Sequence, residues 1–337
     1  MSPVRVATGE IAAGLASGAN LVCGTAWVWT HPNQQQSLDV LFVDEAGQIS
    51  LANVVAMSGA ASSIVLLGDP QQLDQPLQGT HPPGADRSAL AHALADDATM
   101  PPDRGLFLET TWRLHPDLCE YTSEVFYEDR LEPEGHLAVQ AVHGSDAFVA
   151  AGAGPRLVAL PTVGADNENP EEAAAVASLV LGLVESGTTW TDQRGVIRRL
   201  GLDDLVVVAP YNAQVAAIKR LLPTEARVGT VDKFQGQEAP ISIYSLTTSS
   251  PELAPRGMDF LYSRHRLNVA TSRARGVAIV VASPDLFRVR ARTPEQMRLA
   301  NAFCRFIELA EAGNGVPADT ANPVAPPEFE ILTLDLV

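Results

Sequence analysis

Five stretches of the chain are apolar almost without interruption: DVLFVDEA from Asp39, SIVLLGDP from Ser63, DLVVVAPY from Asp204, ISIYSL from Ile241 and VAIVVAS from Val277. Short runs of this kind, rich in Val, Ile and Leu and lacking polar alternation, are the pattern of strands buried on both faces. Helical stretches lie between them. Asn169, Pro170 and Glu172 form a capping-box arrangement ahead of AAAVASLVLGLV, and Thr293, Pro294 and Gln296 repeat it ahead of MRLANAFCRFIELAEA. Strands and helices alternating at these lengths predict an α/β fold with parallel sheets, in which ligands sit at the carboxyl ends of the strands. Gly- and Pro-containing loops near 76–84, 101–105, 132–135 and 152–155 punctuate the pattern, and a domain boundary is expected near residue 105. From Ala312 the chain turns rich in Pro, Ala and acids, which predicts a loose tail, with FEILTLDLV as a potential edge strand.

Composition changes this picture in one respect. The net charge of −17 is unevenly spread: residues 1–150 carry −14, whereas residues 188–300 carry +6. A basic block in an acidic chain fits a phosphate-handling surface, and equally a solvated arginine-rich face. The apolar runs are far too short to cross a bilayer and no signal peptide opens the chain, so a cytoplasmic protein without membrane partners is expected. Cys23, Cys119 and Cys304 are scattered singly, and neither HExxH nor a clustered His set occurs among the seven histidines, so no zinc chemistry is expected.

The strand ends carry the candidate chemistry. Asp44 and Glu45 close the first apolar run, where one carboxylate can hold Mg²⁺ while its neighbour activates water. The next run opens into Gly68, Asp69, Pro70 and a Gln pair, and Gln72 can meet a terminal phosphate as a neutral donor. Trp112 and Arg113, in ETTWRLHP, pair an aromatic face with a guanidinium fork. Downstream, VVVAPYNAQ brings Tyr211, Asn212 and Gln214 to a strand end. VGTVDKFQGQEAP sets Thr230, Asp232, Gln235, Gly236, Gln237 and Glu238 on a loop, and RLNVATSRARG carries Asn268, Thr271, Ser272, Arg273 and Arg275. Taken singly, each is as well explained by caps, turns and exposed faces.

Their order is more specific. VDEAGQ, GDPQQL, TWRLHP, PYNAQ, VDKFQGQE and NVATSRAR resemble, in sequence and spacing, motifs II, III, the Arg-bearing motif beyond it, IV, V and VI of superfamily 1B helicases, over roughly residues 20–290. The likeness is to bacterial members of the group containing the nonsense-mediated-decay helicase, in which a RecB-like nuclease precedes the motor. It implies RecA-like P-loop NTPase sheets: the carboxyl-terminal part of a first, incomplete RecA-like domain in 1–104, a complete second one in 105–300, and a helix end with an acidic tail in 301–337. It further implies ATP and Mg²⁺ as cofactors and single-stranded DNA as partner, with RNA as the alternative, for a 5′-to-3′ helicase serving DNA repair. On this resemblance Asp44 holds Mg²⁺, Glu45 is the general base, Gln72 senses the γ-phosphate, and Arg113 and Arg273 are arginine fingers. Trp112 stands beside the nucleotide base, where the family usually has Tyr or another residue; Gly236 and Glu238 belong to the nucleotide, Glu238 facing its ribose. Tyr211, Asn212, Thr230 and Gln235 lie in motifs that line the interdomain cleft or touch the nucleic acid.

One departure stands out. A phosphate-cradling loop needs Gly-Lys-Ser/Thr, and the chain's two lysines follow Ile218 and Asp232. The segment GEIAAGLASGANLVCGT lacks the lysine and is expected to hold a helix, then the strand and turn before Asp44. With 43 residues before Asp44, the first domain is expected to leave apolar surface exposed and to need an upstream segment or second polypeptide carrying the loop. The chain alone is expected not to hydrolyse ATP. The alternatives are a non-catalytic nucleic-acid- or partner-binding module, or one half of a split motor. No acid stands two positions before either lysine, so the nuclease is not expected within this chain.

Overall fold

A computed structural model describes residues 18, 20–73, 82, 84, 87–95, 97–144 and 149–313. Most of the 9–25 segment, the 76–84 loop and the chain beyond Gly313, FEILTLDLV included, lie outside or largely outside the described residues. The chain divides into two compact units, Met1–Leu106 and Phe107–Val337.

The first unit pairs two parallel strands, β1 (Leu38–Val43) and β2 (Ala61–Leu66), joined through helix α1 (Leu51–Ser58) and followed by α2 (Ala89–Leu94). Ser50 and Ser88 cap the two helices, their side chains accepting from the N–H of Asn53 and Ala91, both at 3.1 Å. Leu41 and Val43 point into a core with Trp29, Val54, Met57, Leu90 and Leu94. Their strand neighbours do not. Val40 is 40% exposed, Phe42 59%, and Val65, opposite Phe42, 36%. The expectation of burial on both faces therefore fails here: helices pack on one side of this two-stranded sheet, and among the described residues nothing covers the other. Nor does a strand precede β1 among the described residues. Residues 21–25 are irregular and lead into one helical turn, Ala26–Trp29.

The second unit begins with α3 (Pro116–Phe126), β3 (Ala141–His143) and β4 (Gly154–Ala159). Then come α4 (Pro170–Glu185), β5 (Thr189–Thr191), β6 (Ile197–Arg199), β7 (Leu205–Ala209), α5 (Asn212–Leu221), β8 (Arg227–Thr230), β9 (Ala239–Ser245), α6 (Arg264–Ser272), β10 (Ala274–Ala282) and α7 (Pro294–Gly313). Five strands form one sheet in the order β8-β7-β9-β10-β4, every pair parallel, so the fold is α/β as expected. Helices α4 and α5 cover one face and α3, α6 and α7 the other. Every residue of β7 and β9 is buried. A small antiparallel sheet, β3-β5-β6, attaches to its flank and delivers Trp190, fully buried, against β10.

Both helix starts are where the sequence puts them, with one reassignment. Asn169 Oδ1 accepts the Glu172 N–H at 3.1 Å, and Thr293 Oγ1 accepts the Gln296 N–H at 3.2 Å. The Glu172 carboxylate, however, does not return to the cap; it is engaged by the far end of β9.

Gly276 in β10 is required by close approach. A Cβ there would lie 2.4 Å from Trp190 Cζ3, inside contact distance. Gly276→Ala is expected to cost about 1–3 kcal/mol by overpacking and to lower Tm by several degrees, with Trp190→Phe recovering part of the loss in the double variant. Thermal melts of the two single variants and the double variant check this.

Candidate functional site

In the first unit the acids stand at the carboxyl end of β1. Glu45 adopts a left-handed φ of 52°, uncommon for a residue with a side chain, and its N–H is accepted by Asp44 Oδ1 at 2.9 Å. The loop after β2 closes against it: a Cβ on Gly68 would lie 2.9 Å from the Ala46 nitrogen, and one on Gly47 2.9 Å from the Asp69 carbonyl oxygen. Both glycines are needed for the two loops to touch. Asp69 organises the second loop, accepting from the Gln71 N–H and from Gln72 Nε2, each at 2.9 Å. Asp44, Glu45 and Gln72 are thus brought to neighbouring strand ends of one unit.

In the second unit the candidates separate to opposite ends of the sheet. At the amino ends, Glu238, just before β9, accepts from Arg113 Nε at 2.6 Å and from Arg275 Nη2, an arginine at the start of β10. Burial pushes the Glu238 carboxyl up, but the Arg275 hydrogen bond and the charges of both guanidiniums outweigh it and hold the pKa below the usual glutamate range. Arg227 fastens the same loop, donating to the Glu238 carbonyl and to Gln237 Oε1. Trp112, beside Arg113, is 66% exposed, its ring 6.0 Å from that of His136. Gly236 turns the loop at φ 72°.

Arg273 is placed differently from a ready arginine finger. It is 1% exposed, and its guanidinium donates to the carbonyls of Val269, Phe234 and Gln237. A fork spent on three main-chain oxygens is a structural clamp. Arg275, two residues on, is the half-exposed cation of the motif, and its Arg-Ala-Arg spacing was the signal that could have found it.

At the carboxyl ends lies a buried polar hub. Glu172 Oε1 accepts from Ser245 Oγ at 2.5 Å and from the Thr247 N–H at 2.7 Å. Gln214 joins it by donating to Ser245 Oγ at 3.0 Å and accepting the Asn169 N–H at 2.8 Å. Thr247 is held at φ 72°, strained for a β-branched residue. Burial raises the Glu172 pKa to about 7 against the opposing pull of the Ser245 and Thr247 hydrogen bonds. Tyr211 is buried beside this hub, its ring centroid 5.6 Å from that of Phe260, while Asn212 is exposed at the start of α5. Thr230 ends β8, and Gln235 lies on the crossover that carries the chain back to the amino end of β9. Gln214 reads as a polar candidate in the sequence and Asn169 as a helix cap; here both are also scaffolding for the strand-end loops.

A family model described as an AAA domain (AAA_12) matches residues 86–285, more than half of the chain. The chain belongs to this family. The match takes in Arg113, Glu238 and Arg275 and leaves out Asp44, Glu45 and Gln72. The DNA polymerase alpha-associated DNA helicase A of Schizosaccharomyces pombe is 28% identical over 74% of this chain and 38% of its own length. The DNA replication ATP-dependent helicase/nuclease JHS1 of Arabidopsis thaliana is 27% identical over 78% of this chain and 20% of its own. A Regulator of nonsense transcripts 1 homolog from the same plant is 28% identical over 73% and 20% respectively. The chain therefore spans between a fifth and two fifths of the length of these relatives. With the ordered motifs, the likenesses support kinship with superfamily 1 helicases. Among the described residues no helix is long and apolar enough to cross a membrane, and no cluster of three His, Cys, Asp or Glu could hold a metal by itself.

Glu172 generates a pH prediction. A carboxyl neutral up to about pH 7 in the fold, and only to about 4.5 when unfolded, stabilises the fold fully below 4.5 and loses that contribution as pH rises through 7. Glu172→Gln should therefore gain stability relative to the parent between pH 5 and pH 8, by on the order of 1–3 kcal/mol. Melting curves of the two proteins across that interval test it, and a pH-independent difference would contradict it.

Proposed function

We propose that this chain is the part of an ATP-dependent, 5′-to-3′ superfamily 1 DNA helicase that carries the water-activating acids and the charge-neutralising arginines, working with a phosphate loop supplied from outside these 337 residues. The observation that carries the reading is the convergence of Arg113 and Arg275, 162 positions apart in the numbering, on the single carboxylate of Glu238. Two half-exposed guanidiniums gathered at the amino ends of central strands form a preorganised anion site, the arrangement phosphoryl transfer needs for charge neutralisation. The relatives named as ATP-dependent and DNA helicases support the same conclusion.

The donor set fits Mg²⁺ held jointly by protein and nucleotide. Such an ion takes one or two carboxylates and completes its shell with phosphate and water, and Asp44 is an exposed carboxylate at a strand end. Bound MgATP would supply the phosphoryl bond to be broken. Glu45, its backbone fixed by Asp44, accepts the proton of the attacking water, and the Gln72 amide, leaving Asp69, orients it. Within the second unit, Arg113 and Arg275 would exchange Glu238 for a phosphate's negative charge, and Arg273 keeps the loop before β9 in place. The exposed indole of Trp112 offers a plane for the nucleotide base. Tyr211, Asn212, Thr230 and Gln235 serve the single strand, and Gly236 and Glu238 the nucleotide.

A second reading, a binding module without turnover, draws on the absence of any Gly-Lys-Ser/Thr sequence. Steady-state ATPase assays with single-stranded DNA separate the two. The chain alone should show no turnover. Adding a polypeptide that carries the phosphate loop should restore it, and Arg113→Ala should then lower the rate by on the order of 10³-fold. Folded but inactive mixtures would leave the binding module; turnover by the chain alone, abolished in Glu45→Gln, would overturn the requirement for a separate loop.

A further inference from the structure

The sheet order has one topological switch. From β7 the chain moves outward to β8; from the adjacent β9 it moves the opposite way, to β10. In open parallel sheets the crevice beyond the carboxyl ends of two such strands is where ligands bind. Tyr211 lies just past the end of β7 and Tyr244 at the end of β9.

Over this crevice Phe260, on the helical turn Met258–Leu261, is sheathed by cations. The Arg256 guanidinium carbon is 3.8 Å from the ring centroid and that of Arg266 is 4.3 Å away. Arg266 has a carboxylate within reach, Asp232 at 3.5 Å, but that partner is itself 62% exposed. Arg256 is exposed and makes no ion pair among the described residues. Folding alone gives little reason to bring two like charges to one half-buried ring. At these centroid distances a guanidinium can stack on the ring, offering an outer plane for a base and edge N–H donors for phosphate, the two features single-strand binders combine.

We infer that Arg256, Phe260 and Arg266 form a contact for single-stranded nucleic acid at the β7/β9 crevice, the arginines taking phosphate and the stacked planes taking a base. The inference rests on the single-strand reading above and adds residues to which the motifs assign no role. Tyr211 packs against Phe260, its ring centroid 5.6 Å away, and burial raises its hydroxyl pKa above the usual tyrosine value.

Equilibrium anisotropy titrations of a fluorescent oligo(dT) with the full chain, at several KCl concentrations, test it. Phe260→Ala should weaken binding about 10-fold. Arg256→Ala should weaken it and flatten the slope of log K against log salt by about 0.7, the value of one lost phosphate contact. Arg256→Lys should keep the slope and still lose affinity, because the charge remains and the plane is gone. Thermal melts matched to the parent protein establish that the exposed-residue variants are folded. If the parent binds and Arg256→Ala and Phe260→Ala bind equally well, the contact is wrong while the single-strand reading survives. If the parent does not bind at any salt concentration, both fall. Equal competition by polyglutamate of the same charge would also overturn the stacking assignment.

Discussion

Five parallel strands sealed on both faces by helices can present polar chemistry only at their ends. That constraint organises the second unit. Along β9 all seven residues are buried, so the chain enters the sheet at one chemical surface, with Glu238, and leaves at another, with Thr247. At a rise of about 3.3 Å per residue the two surfaces lie roughly 20 Å apart. An anion site and a strand-binding crevice can therefore share one rigid sheet without sharing a side chain.

Arginine supplies most of the joints. All but two of the chain's 23 basic residues are arginine, and many of them bind main-chain oxygen rather than carboxylate. Arg273 ties α6 to the loop before β9, Arg227 fastens that loop to the amino end of β8, and Arg156 holds the Ala151 and Pro155 carbonyls at β4. A planar fork can satisfy several carbonyls at once, which a lysine ammonium does less well.

What could be read in advance follows from what each signal measures. Three strands of the second unit, β7, β9 and β10, were legible because burial on both faces forces an unbroken apolar run, whereas β4 and β8 were not singled out and the start of β4 falls in a stretch expected to be a loop. The same signal misled for β1 and β2, where Val40, Phe42 and Val65 are apolar yet exposed, because a run of hydrophobic residues does not specify what covers it. Asn169 was legible as a cap through local spacing, whereas Glu172 finds its partners at Ser245 and Thr247, far away in sequence. Arg273 and Arg275 are equivalent in a linear motif; only the passage from helix end to strand start decides that one is buried and the other meets Glu238. Phe260 was not singled out: Arg256 and Arg266 lie four and six positions from it, a spacing that matches no motif, and Tyr211 reaches it from a distant segment.

The edge strand β4 gives the sheet a temporal order. Gly154 pairs with Val277, and among the described residues β4 has no other partner in the sheet. On a ribosome releasing about 5–20 residues per second, β4 therefore waits on the order of ten seconds for β10 to emerge. Through that interval its backbone donors and acceptors are open to any neighbouring strand. Newly made chains should be most vulnerable to mispairing, and most dependent on chaperones, in the window between these two segments.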